Sequence, residues 1–396
     1  MKYDFETITP AVGAQTPALI PYSTHTPQWP EAVNFGVAEM KFALAPAIRQ
    51  ALIEAAQLGS FGYTYASDYY KNAVCNWMEK RHGWKIDASW LIQTYGVVSA
   101  IGYALRAFTK EGDRVIIQPP VYGPFWSTTV KNHRELALNP LIERDGRWEM
   151  DMEGFRALAA DERTTAFILC SPHNPIGRVW TKEELAAVAA ICEEYNVFII
   201  SDEIHMDLIY PGYTHTMTAS VSDWVRDNSV TLTSPSKGFN LAGLTLANII
   251  VPNEERRAAF CEQVSLGMGG HHNVMSYNAC AAAYAQSEEW LDECIAYLEE
   301  NKNTFIRELK RKLPRAHVND IQGTYLIWVD LSAYGWDKNE IKRRFNDDAH
   351  FHVQSGEFFC GTAVFGGNAG GSCIRVNLAC PRRCIVDAIA RLESVE

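Results

Sequence analysis

Short unbroken apolar runs, each stopped by a turn residue and followed by an amphipathic stretch, dominate the middle of the chain. Arg114-Val115-Ile116-Ile117-Gln118 stops at Pro119-Pro120, Thr165-Ala166-Phe167-Ile168-Leu169-Cys170 at Ser171-Pro172, and Val197-Phe198-Ile199-Ile200-Ser201 at Asp202. Ser229-Val230-Thr231-Leu232-Thr233 is a fourth run, ending before Ser234-Pro235. The first three runs, without polar alternation, predict strands covered on both faces, and the fourth, of β-branched and apolar residues, predicts another strand. Between the second and third lies TKEELAAVAAICEEYN, with Thr181 as N-cap, Glu184 three residues on and apolar positions at helical spacing. That pattern predicts a helix opened by a capping box, and the three elements together make a βαβ unit.

After about residue 285 the pattern changes. EEWLDECIAYLEENKNTFIRELKRKL reads as a charged amphipathic helix, Gly323-Thr324-Tyr325-Leu326-Ile327-Trp328-Val329-Asp330 as a strand, and FGGNAGG as a glycine-rich loop. The fold class predicted is α/β: a three-layer α/β/α large domain with a mostly parallel sheet, over residues 51–285, and a smaller α/β domain. Residues 1–50 and 286–396 would form the smaller one. The length of 396 residues suits two domains better than one, and there is no internal repeat or low-complexity segment.

Composition then narrows the partners. A formal charge of −11 disfavours nucleic acid, because nothing offsets phosphate repulsion. The ten cysteines, among them Cys75, Cys170, Cys192, Cys261 and Cys294, lack paired CxxC spacing and read as reduced core thiols of a cytoplasmic protein. Cys380 and Cys384 have no second pair at matching spacing, so no metal site is expected. Asp4 and Glu6 fall where a signal peptide needs an apolar run, and no apolar stretch reaches the length of a membrane span.

The chemistry gathers where strands end. SPSKGFN places Lys237 in a turn after a strand, between Ser234, Ser236 and Gly238, where a lysine of lowered pKa serves as a nucleophile toward an aldehyde. The serines would meet a phosphate or hydroxyl. Asp202, in SDEIHMD, suits the nitrogen of a pyridoxal ring, and Asn174, in SPHNPIGR, its ring hydroxyl. Tyr122, in PPVYGPF, offers a flat face for stacking. Gly96-Val97-Val98-Ser99 opens a helix-like stretch whose first N–H groups, at Val97 and Val98, suit a phosphate. Taken singly, an exposed lysine, an N-cap aspartate, a turn dipeptide and a packing tyrosine are the ordinary readings. Their shared place at strand ends unites them around one cofactor, pyridoxal 5'-phosphate.

SPHNPIGRVW, SDEIH, SPSKGFNLAGL and IRVNLACPR together resemble the fold-type I pyridoxal-phosphate enzymes, in their class I/II aminotransferase superfamily, whose fold is that of the aspartate aminotransferases. The resemblance runs over residues 30–396. It implies that Lys237 holds the cofactor covalently, Asp202 pairs with the pyridine nitrogen, Asn174 binds the ring hydroxyl and Tyr122 stacks on the ring. It implies further that Arg375, with Asn174, grips the substrate carboxylate, a role that the planar guanidinium fork also suits chemically. Tyr63, in FGYTYASDYY, falls where the family sends a tyrosine to the phosphate of the partner subunit's cofactor, so a homodimer is implied.

Within the superfamily the chain most resembles the cystathionine β-lyase group of the MalY and PatB type. SDEIHMDL, SKGFNLAGL, GTYLIWVDL and RVNLACPR carry that likeness, and Thr245 stands where many aminotransferases of this fold have a phosphate-binding arginine. The implied activity is carbon–sulfur β-elimination from cystathionine or a related S-substituted cysteine, giving pyruvate, ammonia and a thiol. The alternatives are transamination with a 2-oxo acid, or a regulatory holoprotein that binds another protein. His205 would assist proton transfer or serve structurally, and His271-His272 reads as structural. The segment STHTPQWPEAVNFGVAEMKF departs from the group, with Gly36 before Val37-Ala38 and Lys41 in place of an acid, in a region that lines the substrate entrance of the fold.

Overall fold

The computed structural model describes residues 1–8, 34–144, 146–267, 272–361 and 369–395. Its strands in chain order are β1 Leu91–Tyr95, β2 Arg114–Ile117, β3 Glu135–Leu138, β4 Ile142–Arg144, β5 Arg147–Glu149, β6 Thr164–Cys170 and β7 Phe198–Asp202. There follow β8 Ser229–Thr233, β9 Leu246–Ile250, β10 His317–Val318, β11 Leu326–Asp330, β12 Gln354–Ser355 and β13 Cys373–Asn377.

The apolar runs become the centre of a seven-stranded sheet ordered β1-β9-β8-β7-β6-β2-β3. Only β9 is antiparallel to its neighbours; every other pairing is parallel. Successive side chains point to opposite faces, so each run feeds two cores. Ile116, Phe167, Leu169 and Ile199 pack with Phe155, Leu185 and Val188 on one face. Val115, Ile117, Ile168 and Ile200 pack with Ile101, Leu105 and Phe260 on the other. Fully burying one such side chain stabilises by roughly 1.5–3 kcal/mol, which is why these strands carry no polar alternation.

The helix between β6 and β7 is Lys182–Tyr195. Its capping box is formed: the Glu184 N–H donates to the Thr181 hydroxyl at 3.2 Å, and the Thr181 N–H donates to the Glu184 carboxylate at 2.8 Å. With both donors satisfied the helix starts where the chain leaves β6, and its Leu185, Val188 and Cys192 face the sheet.

A second, four-stranded antiparallel sheet has the order β10-β11-β13-β12. The helices Glu288–Lys312 and Arg382–Ala390 pack against each other beside it. Phe5 is fully buried there, with ring centres 5.6 Å from Trp290 and 5.5 Å from Tyr297. The helix Pro46–Gln57 runs across residue 50 and packs on the helix Val274–Gln286. Among the described residues no helix is long and apolar enough to cross a membrane.

Candidate active site

Because β1, β2, β6, β7 and β8 are mutually parallel, their carboxyl ends lie along one edge of the sheet, the edge at which open α/β sheets bind ligands. Gly96 and Val97 follow β1, Tyr122 follows β2, Asn174 follows β6, Asp202 ends β7, and Lys237 lies in the one-turn helix Pro235–Gly238 after β8. The sequence spreads these positions over about 140 residues; the sheet brings them to one rim.

Ser234 builds the lysine's turn. Its hydroxyl accepts the Ser236 N–H at 3.1 Å and donates to the Leu246 carbonyl at 2.7 Å, so it is engaged within the turn. Ser236, half-buried beside it, is the hydroxyl able to turn its proton toward a ligand. The Lys237 Nζ donates to the Ala38 carbonyl at 2.9 Å. Burial, reinforced by the Arg375 charge, lowers Lys237 to about 8 against the opposing pull of Glu39 and Asp202. Asp202 moves the other way: burial raises its carboxyl to about 7, although the Ile204 N–H donates to it at 3.2 Å. Tyr122 is held above the usual phenol range, first by burial and then by the neighbouring Asp202 charge.

Arg375 comes from β13, the strand paired on both sides by β11 and β12. It is 4% exposed, donating through Nη1 to Asn174 Oδ1 at 3.2 Å and through Nη2 to the Gly36 carbonyl at 2.6 Å. Its guanidinium carbon lies 4.8 Å from the Phe359 ring centre. Burial lowers the group to about 10, and none of the ion pairs among the described residues involves it. A buried guanidinium whose partners among the described residues are neutral oxygens, and whose Nε has none there, is a site for a ligand carboxylate.

These residues fit a pyridoxal phosphate. Asp202 is a buried carboxyl without an ion-pair partner among the described residues, as a ring nitrogen requires. With its oxygen turned to Arg375, Asn174 keeps its amide nitrogen as a donor for the ring hydroxyl. At φ 82 Gly96 turns the chain sharply from β1 into the helix Val97–Phe108 and supplies no capping side chain, so the first N–H groups remain for a phosphate. Val97 is buried and Val98 exposed at this helix start. Tyr63 stands apart, 92% exposed on the stretch before the helix Asp68–His82.

Residues outside the initial set also enter the site. The carbonyls of Gly36 and Ala38 receive Arg375, Lys237 and the Tyr325 hydroxyl, the last at 3.0 Å, while Asn377 donates to Val37 and Glu39. Main-chain acceptors leave no side-chain signature, so only the segment's position was legible, through the resemblance. His205 is buried with its Nδ1 unpartnered among the described residues, and burial with the Lys237 and Arg375 charges holds it neutral. The His272 ring packs 4.5 Å from that of Tyr95 at the end of β1; His271, most of the glycine-rich loop and residues 23–33 of the entrance segment lie outside the described residues.

Known proteins resemble the chain over most of its length. The cystathionine β-lyase PatB of Bacillus subtilis (strain 168) is 39% identical over 364 residues, 92% of each chain. The structure of cystalysin from Treponema denticola, which contains a pyridoxal 5'-phosphate cofactor, superposes with a TM-score of 0.91 at 34% identity, covering 99% of this chain and 98% of that one. The PLP-bound C-S lyase from Staphylococcus hominis superposes with a TM-score of 0.86 at 30% identity, covering 98% and 97%. Residues 30–392, which carry both sheets and every strand-end residue above, match aminotransferase class I and II, and the chain belongs to that family.

Proposed function

We propose that the chain is a pyridoxal-phosphate-dependent carbon–sulfur β-lyase that takes cystathionine or a related S-substituted cysteine and, with water, releases a thiol, pyruvate and ammonia. The observation that carries this is the buried Arg375, without a carboxylate partner among the described residues, facing the same rim as Lys237 and Asp202. It rests also on the likeness to the lyases above. When bound, pyridoxal phosphate supplies an electron sink conjugated to the substrate's amino group.

The chain's own residues do the rest. Arg375 fixes the substrate carboxylate and so the direction in which the α-hydrogen points. Lys237, lowered to about 8, is substantially unprotonated in mildly alkaline solution and takes that proton as general base. Asp202 would hold a proton on the ring nitrogen, and Tyr122 would stack on the ring. His205, kept neutral, stands close to both Lys237 and Arg375 as a proton acceptor. Val97, Val98 and Ser236 would hold the phosphate.

The division at 51–285, with 1–50 and 286–396 as the second domain, places Arg375 on one domain and Lys237 on the other. A homodimer is supported by the exposure of Tyr63 and of its neighbours Phe61, at 60%, and Tyr65, at 74%, surface that a second copy would cover. Six of the ten free cysteines are buried, which suits a reducing, cytoplasmic compartment.

The test is incubation of the purified yellow protein with L-cystathionine or an S-substituted cysteine, without any 2-oxo acid. Equal release of pyruvate, ammonia and thiol over many turnovers is expected. A single-turnover spectral change reversed by a 2-oxo acid would establish transamination instead.

A further inference from the structure

We propose that Phe358 is a positioning residue: its ring, seated on Gly123, sets where Arg375 stands relative to the Tyr122 turn. The inference rests on the reading of Arg375 as the substrate carboxylate site. Phe358 and Phe359 lie in the one-turn helix Glu357–Cys360, between β12 and β13. Phe359 faces the four-stranded sheet, where its ring lies under Arg375 at 4.8 Å and edge-on to Trp328 at 5.7 Å. Its carbonyl accepts the Val121 N–H at 2.8 Å, one residue before Tyr122. The Phe358 ring lies against Gly123, at the start of the helix Pro124–Lys131, where a Cβ would come within 2.8 Å of it.

Gly123 has φ −49 and ψ −41, which any residue adopts, so the backbone does not require glycine there. The ring does. Phe358 is 39% exposed, and a methyl group at 123 would push it outward toward solvent. The contacts therefore run without a gap from Tyr122 through Gly123, Phe358 and Phe359 to Arg375. Lifting the ring removes the stop that seats Arg375 against the cofactor rim, while the strand-end residues stay in place.

The test measures binding to the holoprotein through the shift of its cofactor absorbance, using L-alanine, which has an amine and a carboxylate but no leaving group, and ethylamine, which has the amine alone. Gly123→Ala should weaken L-alanine about tenfold, equivalent to about 1.4 kcal/mol, and ethylamine by less than about twofold. Phe358→Ala should weaken L-alanine similarly. In the double variant the added methyl has no ring to displace, so its affinity should match that of Phe358→Ala alone. Thermal midpoints of all three should stay near that of the parent, since residue 123 already has φ and ψ that alanine adopts and residue 358 is half-exposed.

Unchanged L-alanine affinity in Gly123→Ala, equal losses for both probes, or additive losses in the double variant would each overturn the proposal. Because binding is read without turnover, it can fail while pyruvate release stands, and the reverse. A parent protein that does not prefer L-alanine to ethylamine would remove the Arg375 role and this inference with it.

Discussion

Replacing Arg375 by methionine removes the charge and the fork but keeps an apolar stem over Phe359. In the free protein it deletes the bonds to Asn174 Oδ1 at 3.2 Å and the Gly36 carbonyl at 2.6 Å. Two acceptors left unpaired cost about 1–3 kcal/mol each. Against this stands the burial that lowers the guanidinium from 12.5 to about 10, equivalent to roughly 3 kcal/mol against the charged form, which disappears with the charge. The two effects largely offset, so stability should stay within about 3 kcal/mol of the parent. Substrate binding has no such offset. Losing a buried charge-assisted carboxylate pair costs about 2–5 kcal/mol, so kcat/KM should fall by about thirtyfold to several thousandfold. The assay is pyruvate release against S-substituted cysteine concentration, with urea unfolding on the same preparation. A variant that folds normally and keeps KM within about threefold would show that the carboxylate is held elsewhere.

Lys237→Ala should lose the visible band of covalently held cofactor and all pyruvate release while keeping the parent's circular dichroism; retained turnover would remove Lys237 from its role. In the cofactor-free protein Asp202 stands at about 7 against an ordinary 3.8, so between those values the folded state binds more protons than the unfolded one. Stability from this group therefore falls as pH rises from about 4 to about 7, and Asp202→Asn should abolish the fall. Urea unfolding at about pH 5 and about pH 7 reads it, below the range in which Lys237, lowered to about 8, adds stability as pH rises. Parallel slopes for variant and parent would refute the burial argument. On the proposed homodimer, mixing Tyr63→Ala with Lys237→Ala subunits should restore activity that neither variant has alone, because one site of the mixed dimer would be intact; no recovery on subunit exchange would refute a Tyr63 contribution across the interface.

Much of the large sheet was legible because its strands obey one simple rule. A strand covered on both faces is largely apolar along its length, so the runs 165–170 and 197–201 announced themselves, as did the Thr181 and Glu184 cap between β6 and β7. Lys237, Asp202, Asn174 and Tyr122 were legible as a set because turns at strand ends carry the polar residues that the strands exclude. The Gly36 and Ala38 carbonyls were not, because a main-chain acceptor has the same chemistry at every position. The seat of Phe358 on Gly123 was equally silent, since a Phe-Phe pair and a Gly-Pro turn 235 residues apart say nothing about meeting.

The sequence by itself determined the class of fold, four central strands of the large sheet and the side chains able to do the chemistry, because local patterning and residue type are one-dimensional properties. Tertiary structure alone decided which ends of the strands meet. It ordered the sheet β1-β9-β8-β7-β6-β2-β3, so that residues from five strand ends share one rim, and it brought Arg375 to them from a different sheet. It also decided the protonation behaviour of that set. Lys237 falls to about 8 and Asp202 rises to about 7 because burial disfavours charge, and burial is a property of the folded surroundings rather than of either residue.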